Sequence, residues 1–215
     1  MYKKKYFFIV FEGIEGSGKS YQSKKLFLQL KRKGFSVLLT REPGGTKSAE
    51  EIRKVILKDY FYKKKKEEFN AYTDTLLYLA ARNEHLQKKI IPALKKRKIV
   101  ICDRFIDSTI AYQVYGKKVK RSFVNSIHKH ILSGIKPNIV FLLKVDIKKS
   151  IKRINLRGKK NRYDKFSKSF YSKAQNAFIK IAKNNKSKYK ILNSSLDTVD
   201  LENQILKIVL KKLDK

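Results

Sequence analysis

The sequence predicts an α/β fold of three layers, a five-stranded parallel sheet flanked by helices, in one domain over residues 1–215. Three observations predict it. Short β-branched and aromatic runs alternate with longer stretches of helical period, the pattern of successive βαβ units. Those short runs are largely apolar instead of alternating, as expected of strands covered on both faces. The first of them opens directly into a glycine-rich stretch and then an amphipathic helix.

In chain order the strands are "YFFIVF" (6–11), "SVLLT" (36–40), "IVICD" (99–103), "NIVFLLKV" (138–145) and "YKIL" (189–192). Helices fill the gaps at 19–33, 47–59, 67–97, 107–116, 120–133, 146–157, 167–186 and 198–213. Gly34 and Gly134 stop two of them, because glycine adopts the left-handed cap conformation without a Cβ penalty. There is no internal repeat, and three prolines are too few to mark a linker.

At 42% hydrophobic content, 215 residues can build one substantial core. No apolar run approaches the roughly 20 residues that cross a bilayer, and the start "MYKKK" leads into a strand-like run without a small-residue cleavage site. A cytoplasmic location is expected. The single cysteine, Cys102, cannot form an internal disulfide, sits in an apolar strand and reads as inert core. Lys and Arg number 53 against 18 Asp and Glu, a net charge of +35. These cations are spread over nearly every helix surface, and aromatics do not alternate with them as a base-stacking platform requires. The charge is therefore read as compositional bias, with no specific nucleic-acid or membrane partner. The run "KKKK" at 63–66 reads as a solvated connection.

The stretch "GIEGSGKS" comprises Gly13, Ile14, Glu15, Gly16, Ser17, Gly18, Lys19 and Ser20, and it satisfies G-x-x-x-x-G-K-[ST] between a strand and a helix. Glycines let backbone N–H groups converge on phosphate oxygens, and the helix N-terminus favours negative charge. Lys19 can bridge the outer phosphates of a nucleoside triphosphate, and the Ser20 hydroxyl can ligate Mg2+. The loop alone does not say where the γ-phosphoryl goes.

Three later segments address that. "TREPGGT" (40–46) follows the second strand at the carboxyl edge of the sheet, where Arg41 can meet an anionic substrate and Glu42 a metal shell; Arg53 on the next helix can return to the same anion. In "LLYLAARNEH" (76–85), Tyr78 and Arg82 are four residues apart on one helix face, able to stack on a base and bond its exocyclic oxygen. In "ICDRFIDSTIAYQ" (101–113), Asp103 and Arg104 end the third strand, and Ser108, Thr109, Tyr112 and Gln113 follow. Such a string of hydrogen-bonding side chains is costly to bury without a ligand.

With these motifs in this order the chain resembles the thymidylate kinases, over nearly its whole length. The resemblance implies a P-loop NTPase fold, ATP with Mg2+ as phosphoryl donor, dTMP as acceptor and a homodimer. It makes Glu15 an acidic residue near the sugar and the metal, Arg41, Arg53 and Arg104 ligands of the dTMP phosphate, and Pro43 part of the acceptor site through a cis peptide bond after Glu42. Tyr78 stands where the family usually stacks Phe on thymine. Arg82 would address a thymine carbonyl, Ser108, Thr109 and Gln113 the acceptor and its base edge, and Tyr112 the deoxyribose. Asp103 fits the metal or phosphate shell.

"RINLRGKKNRYD" (153–164) matches the family's lid, set at about 153–166. Gly16 and Ser17 leave the P-loop without a catalytic arginine, so the resemblance implies one from the lid, Arg162 in preference to Arg157. Asp164 replaces the usual Glu, and "SSLD" (194–197) takes the place of an adenine loop. His85, His128 and His130 share no metal-ligand spacing and read as surface. The rival enzyme is a deoxynucleoside kinase acting on thymidine, with Glu42 as base, against which the arginines at the acceptor argue. A nucleic-acid-binding NTPase would explain the charge but leaves the acceptor residues without a purpose.

Overall fold

The computed structural model describes residues 7–57, 69–156, 161–195 and 198–214. Its order is β1 (Phe7–Glu12), α1 (Lys19–Arg32), β2 (Val37–Arg41), α2 (Lys47–Leu57), α3 (Ala71–His85), α4 (Ile91–Lys95), β3 (Ile99–Asp103), α5 (Ile106–Thr109), α6 (Arg121–Ile131), β4 (Ile139–Lys144), α7 (Ile147–Asn155), α8 (Lys168–Lys183), β5 (Tyr189–Asn193) and α9 (Thr198–Leu213). The five strands are all parallel, in the order β2-β3-β1-β4-β5. The chain leaves β1 toward β2 and leaves β3 toward β4, so the connections part between β1 and β3. Ligands bind beyond the carboxyl ends of strands at such a point. Those ends carry Glu12 and Asp103.

Successive strand residues point to opposite faces. Phe7, Ile9 and Phe11 of β1, with Ile99 and Ile101 of β3, pack under Leu26 and Leu30 of α1 and Ile205 and Val209 of α9. Phe8, Val10, Val100 and Cys102 face the other way, onto Leu86, Ile90 and Leu94. Both faces are covered, which is why the strands read as largely apolar runs. A third cluster, with Ile14, Ala81, Tyr112, Tyr163, Tyr171 and Phe178, lies toward the carboxyl edge.

The helix expected at 67–97 begins, among described residues, at Ala71, where the Asn70 side chain accepts from the Tyr72 N–H at 2.9 Å. It widens to a π turn over Leu86–Ile90 before α4. A proline ring meets the carbonyl four residues back, and the wider turn immediately before Pro92 relieves that crowding at Lys88. The helix expected at 107–116 likewise passes from α5 into a π turn over Ile110–Gly116. Gly34 and Gly134 both take positive φ, 82° and 73°, as helix stops should. No helix among the described residues is long and apolar enough to cross a membrane. The "KKKK" run lies outside the described residues.

Candidate active site

The turn after β1 has room only for glycine at two points. A Cβ on Gly13 (φ 142°) would sit 2.6 Å from the Leu143 carbonyl oxygen, and one on Gly16 (φ 70°) 2.5 Å from that of Ser150. The tight loop is braced from α7: the Ser150 hydroxyl donates to the Glu15 carbonyl at 2.7 Å and Arg153 Nη1 to that of Gly16 at 3.2 Å. Arg153 Nη2 also reaches the Ser194 carbonyl at 3.1 Å, tying the loop to the start of "SSLD"; Leu196 and Asp197 lie outside the described residues. Lys19 folds back across the loop, donating to the Ile14 carbonyl at 2.7 Å. Burial, and secondarily the charge of Arg104, lower its pKa to about 8.

Beside the loop, one cavity is lined by every residue anticipated for the acceptor: Glu15, Arg41, Pro43, Arg53, Tyr78, Arg82, Arg104, Ser108, Thr109, Tyr112 and Gln113. Lys19, Ser20 and Asp103 form its wall on the P-loop side, and Asn161 and Tyr163 reach it from the segment anticipated as the lid. Arg104 sits at the parting of the sheet with φ 72°, its N–H bound to the Phe11 carbonyl at 2.9 Å. Its guanidinium donates to the Gly13 carbonyl at 2.9 Å, the Ser108 hydroxyl at 3.0 Å and Glu15 Oε1 at 2.6 Å. Burial opposes this charge, but the carboxylate of Glu15 and its neighbours outweigh it and hold Arg104 above the usual arginine range. The other Glu15 oxygen accepts from the Tyr112 hydroxyl.

Behind Arg104, Glu12 accepts from the Phe105 N–H at 2.8 Å and the Ser108 hydroxyl at 2.6 Å, which fixes the start of α5. Burial, with Asp107 adding, raises its pKa to about 7. Arg41 and Arg53 are gathered by Glu50, 3.2 Å from Arg41 Nη2 and 3.9 Å from Arg53 Nε. Arg53 Nη1 also donates to the Pro43 carbonyl at 2.6 Å, beside the cis Glu42–Pro43 bond. Glu50 escaped the sequence reading. The available signal was its place three residues before Arg53 on one helix face.

Glu42 is not free for a metal shell. Its carboxylate is buried, 2.7 Å from Arg82 Nε and 3.2 Å from His85 Nδ1. Burial alone would raise its pKa, but Arg82 and the His85 hydrogen bond override that and hold it below the usual carboxylate range. Nor are two of the histidines on the surface. His85 is fully buried, its Nε2 2.6 Å from the Thr40 hydroxyl, and His128 is buried with Nε2 2.8 Å from Arg82 Nη1. Only His130 is exposed as expected. The pattern of spacings missed them because each is buried by a partner more than 40 residues away. Cys102 is buried, its thiol pushed up by burial and donating to the Arg104 carbonyl at 3.1 Å.

The Ser20 hydroxyl donates to Asp103 Oδ2, while Asp103 Oδ1 is buried without a hydrogen-bond partner. A hydroxyl beside a buried carboxylate oxygen with spare lone pairs suits a hard cation such as Mg2+. Of the two arginines anticipated on a lid, Arg157 lies outside the described residues. Arg162 is ion-paired with Asp74 of α3 and lies 5.0 Å from the Tyr163 ring. Asp164 caps the turn 162–165: its Oδ2 accepts from the Asn161 N–H at 2.9 Å while Asn161 Oδ1 accepts from Tyr163 N–H at 2.8 Å. Tyr78 meets the Tyr163 ring edge-on at 5.9 Å. Asp74, absent from the sequence reading, is fully buried and also takes Lys117 at 3.0 Å, the Tyr163 hydroxyl at 3.1 Å and Gln113 Nε2 at 3.4 Å.

A braced glycine loop and an arginine-lined cavity meet at one sheet edge, which is the arrangement of a P-loop phosphotransferase whose acceptor is itself an anion. A family model for thymidylate kinases matches residues 11–205. The chain is 40% identical over 208 residues to the thymidylate kinase of Mycoplasma capricolum subsp. capricolum, covering 96% of this chain and 95% of that one. It is 45% identical over 179 residues to that of Wolbachia pipientis wMel, covering 81% and 84%. A crystal structure of thymidylate kinase from Ehrlichia chaffeensis matches with a TM-score of 0.73 and 34% identity, over 96% of this chain and 98% of the other. The chain belongs to the thymidylate kinase family.

Proposed function

We propose that the chain phosphorylates dTMP to dTDP with ATP, a step of dTTP synthesis. An ionised oxygen of the dTMP phosphate attacks the γ-phosphorus, the β–γ bridging bond breaks, and ADP leaves with that electron pair. A phosphate monoester needs no strong general base, so the residues contribute alignment and charge neutralisation. Lys19 neutralises the outer phosphates, and Arg41, Arg53 and Arg104 hold the acceptor phosphate. Ser20 and Asp103 would hold Mg2+, which supplies charge stabilisation at the transferring phosphates when bound. Tyr78 stacks on the base, Arg82, Thr109 and Gln113 read its edge, and Glu15 fixes the Tyr112 hydroxyl against the deoxyribose. Arg162 or Arg157 serves the donor side from the lid.

The observation that carries this reading is the cavity lined jointly by Lys19 and by Arg41, Arg53 and Arg104. An uncharged 5'-hydroxyl acceptor would bring those guanidinium groups no anion beyond the Glu50 and Glu15 carboxylates they already hold, and Glu42, already paired with Arg82 and His85, makes a poor base for it. A coupled assay with ATP and dTMP, dUMP, dCMP, dGMP, dAMP or thymidine tests the assignment. Rapid turnover of dTMP and none of thymidine is expected; the reverse would refute it. Residence in the cytoplasm and pairing as a homodimer complete the reading, the second supported by the exposed Tyr72 and Leu76 on α3 and checked by sedimentation.

A further inference from the structure

Arg82 has five N–H groups, and four have protein acceptors. Nε donates to Glu42 at 2.7 Å, Nη1 to the Thr109 hydroxyl at 2.9 Å and to His128 Nε2 at 2.8 Å, and Nη2 to the Phe105 carbonyl at 2.8 Å. A guanidinium only donates, so His128 Nε2 must act as an acceptor and carry no proton. The planar fork is thus held on three sides, and one Nη2 hydrogen remains on a residue that lines the acceptor cavity. The Phe105 ring covers the guanidinium at 5.4 Å.

We infer that His128 is a positioning residue for base selection: its unprotonated Nε2 orients Arg82 so that the remaining N–H faces the base edge, where it favours a carbonyl over an amino group. This rests on the reading of Arg82 as a base-contacting residue. His128 lies on α6 and meets Arg82 through that hydrogen bond. Burial and the adjacent Arg82 charge lower its pKa to about 3, which keeps the ring neutral over the working range. A pyrimidine with an amino group at that edge would place donor against donor, and the fixed fork cannot turn away to relieve it.

Steady-state kinetics with dTMP and with dCMP, at saturating ATP, test the idea in His128→Leu, which removes the acceptor, and His128→Gln, which replaces it. In His128→Leu the KM for dTMP should rise about tenfold with kcat within about twofold, and the dTMP-over-dCMP ratio of kcat/KM should fall about tenfold. His128→Gln should recover most of both. An unchanged ratio in His128→Leu, or a Gln variant no better than Leu, overturns the inference; a purely structural role would lower thermal stability without moving the ratio. Arg82→Lys is assayed alongside. If it alone impairs dTMP use, only the positioning role fails; if it too has no effect, the base-contact reading falls with it. Should His128→Leu not fold, 15N NMR of the histidine-labelled wild-type chain decides: His128 should stay an Nδ1–H neutral tautomer from about pH 5 to 8, and titration within that range overturns the inference.

Discussion

Arg162, at the start of the turn 162–165, is ion-paired with the fully buried carboxylate of Asp74 on α3, 88 residues away in the chain. The same carboxylate holds Lys117, the Tyr163 hydroxyl and Gln113, so one α3 side chain fastens the 161–163 segment to the cavity-lining Gln113.

Asp74→Asn should therefore loosen both. Removing the buried charge leaves Arg162 and Lys117 facing each other across a site with no anion, at a cost of about 2–3 kcal/mol, because both cations keep some solvent contact. Calorimetry should find Tm lowered by about 4–10 °C, with faster hydrogen exchange over residues 161–166. Unchanged exchange there would rule out the fastening.

Lys19 is the second case. A lysine pKa lowered to about 8 from 10.5 means that the fold bears a cost that is present in full below pH 8 and fades as pH rises toward 10.5, where both folded and unfolded chains are deprotonated. Lys19→Met should accordingly be the more stable fold at neutral pH while losing at least about a hundredfold in turnover. Bound triphosphate would return the proton, so calorimetric titration of ATP at pH 8.5 in buffers of different ionisation enthalpy should show proton uptake. The Met variant should show none.

Glu12 gives the opposite pH dependence. Its pKa, raised to about 7 from 4.5 by burial and by Asp107, makes the folded chain hold a proton that the unfolded chain releases. The stabilisation is complete below pH 4.5 and is lost as pH rises through 7. Glu12→Gln keeps an acceptor for the Phe105 N–H without the charge. Urea unfolding should show the variant gaining about 1–3 kcal/mol on the wild type between pH 5 and pH 8. A constant difference would contradict the assignment.

For Asp103, the unpartnered buried Oδ1 beside Ser20 predicts a metal requirement. Asp103→Asn should raise the Mg2+ concentration for half-maximal turnover by about tenfold or more while the chain remains folded. The same Mg2+ dependence in variant and wild type would remove Asp103 from the metal shell.

Much of the site was legible because its signals are local. The strand–loop–helix order around Gly13–Ser20 sets a phosphate loop, and strand ends put Arg41, Asp103 and Arg104 on one edge once the sheet is known to be parallel. Glu42 was legible as a charged residue but not in its role, since nothing near it in the chain announces Arg82 as its partner, 40 residues on. Arg162 could be singled out as a lid arginine, whereas its attachment to Asp74 could not.

The sequence by itself determined the order of strands and helices, the two-sided burial of the sheet and the chemistry available at each loop, because spacing and side-chain type act within a few residues. Tertiary structure alone decided which of those groups are already paired: His85 and His128 inside with Thr40 and Arg82, Glu50 between two arginines, Asp74 with Arg162. A buried polar group must find its partner wherever packing brings one, and that distance is measured in space and not along the chain.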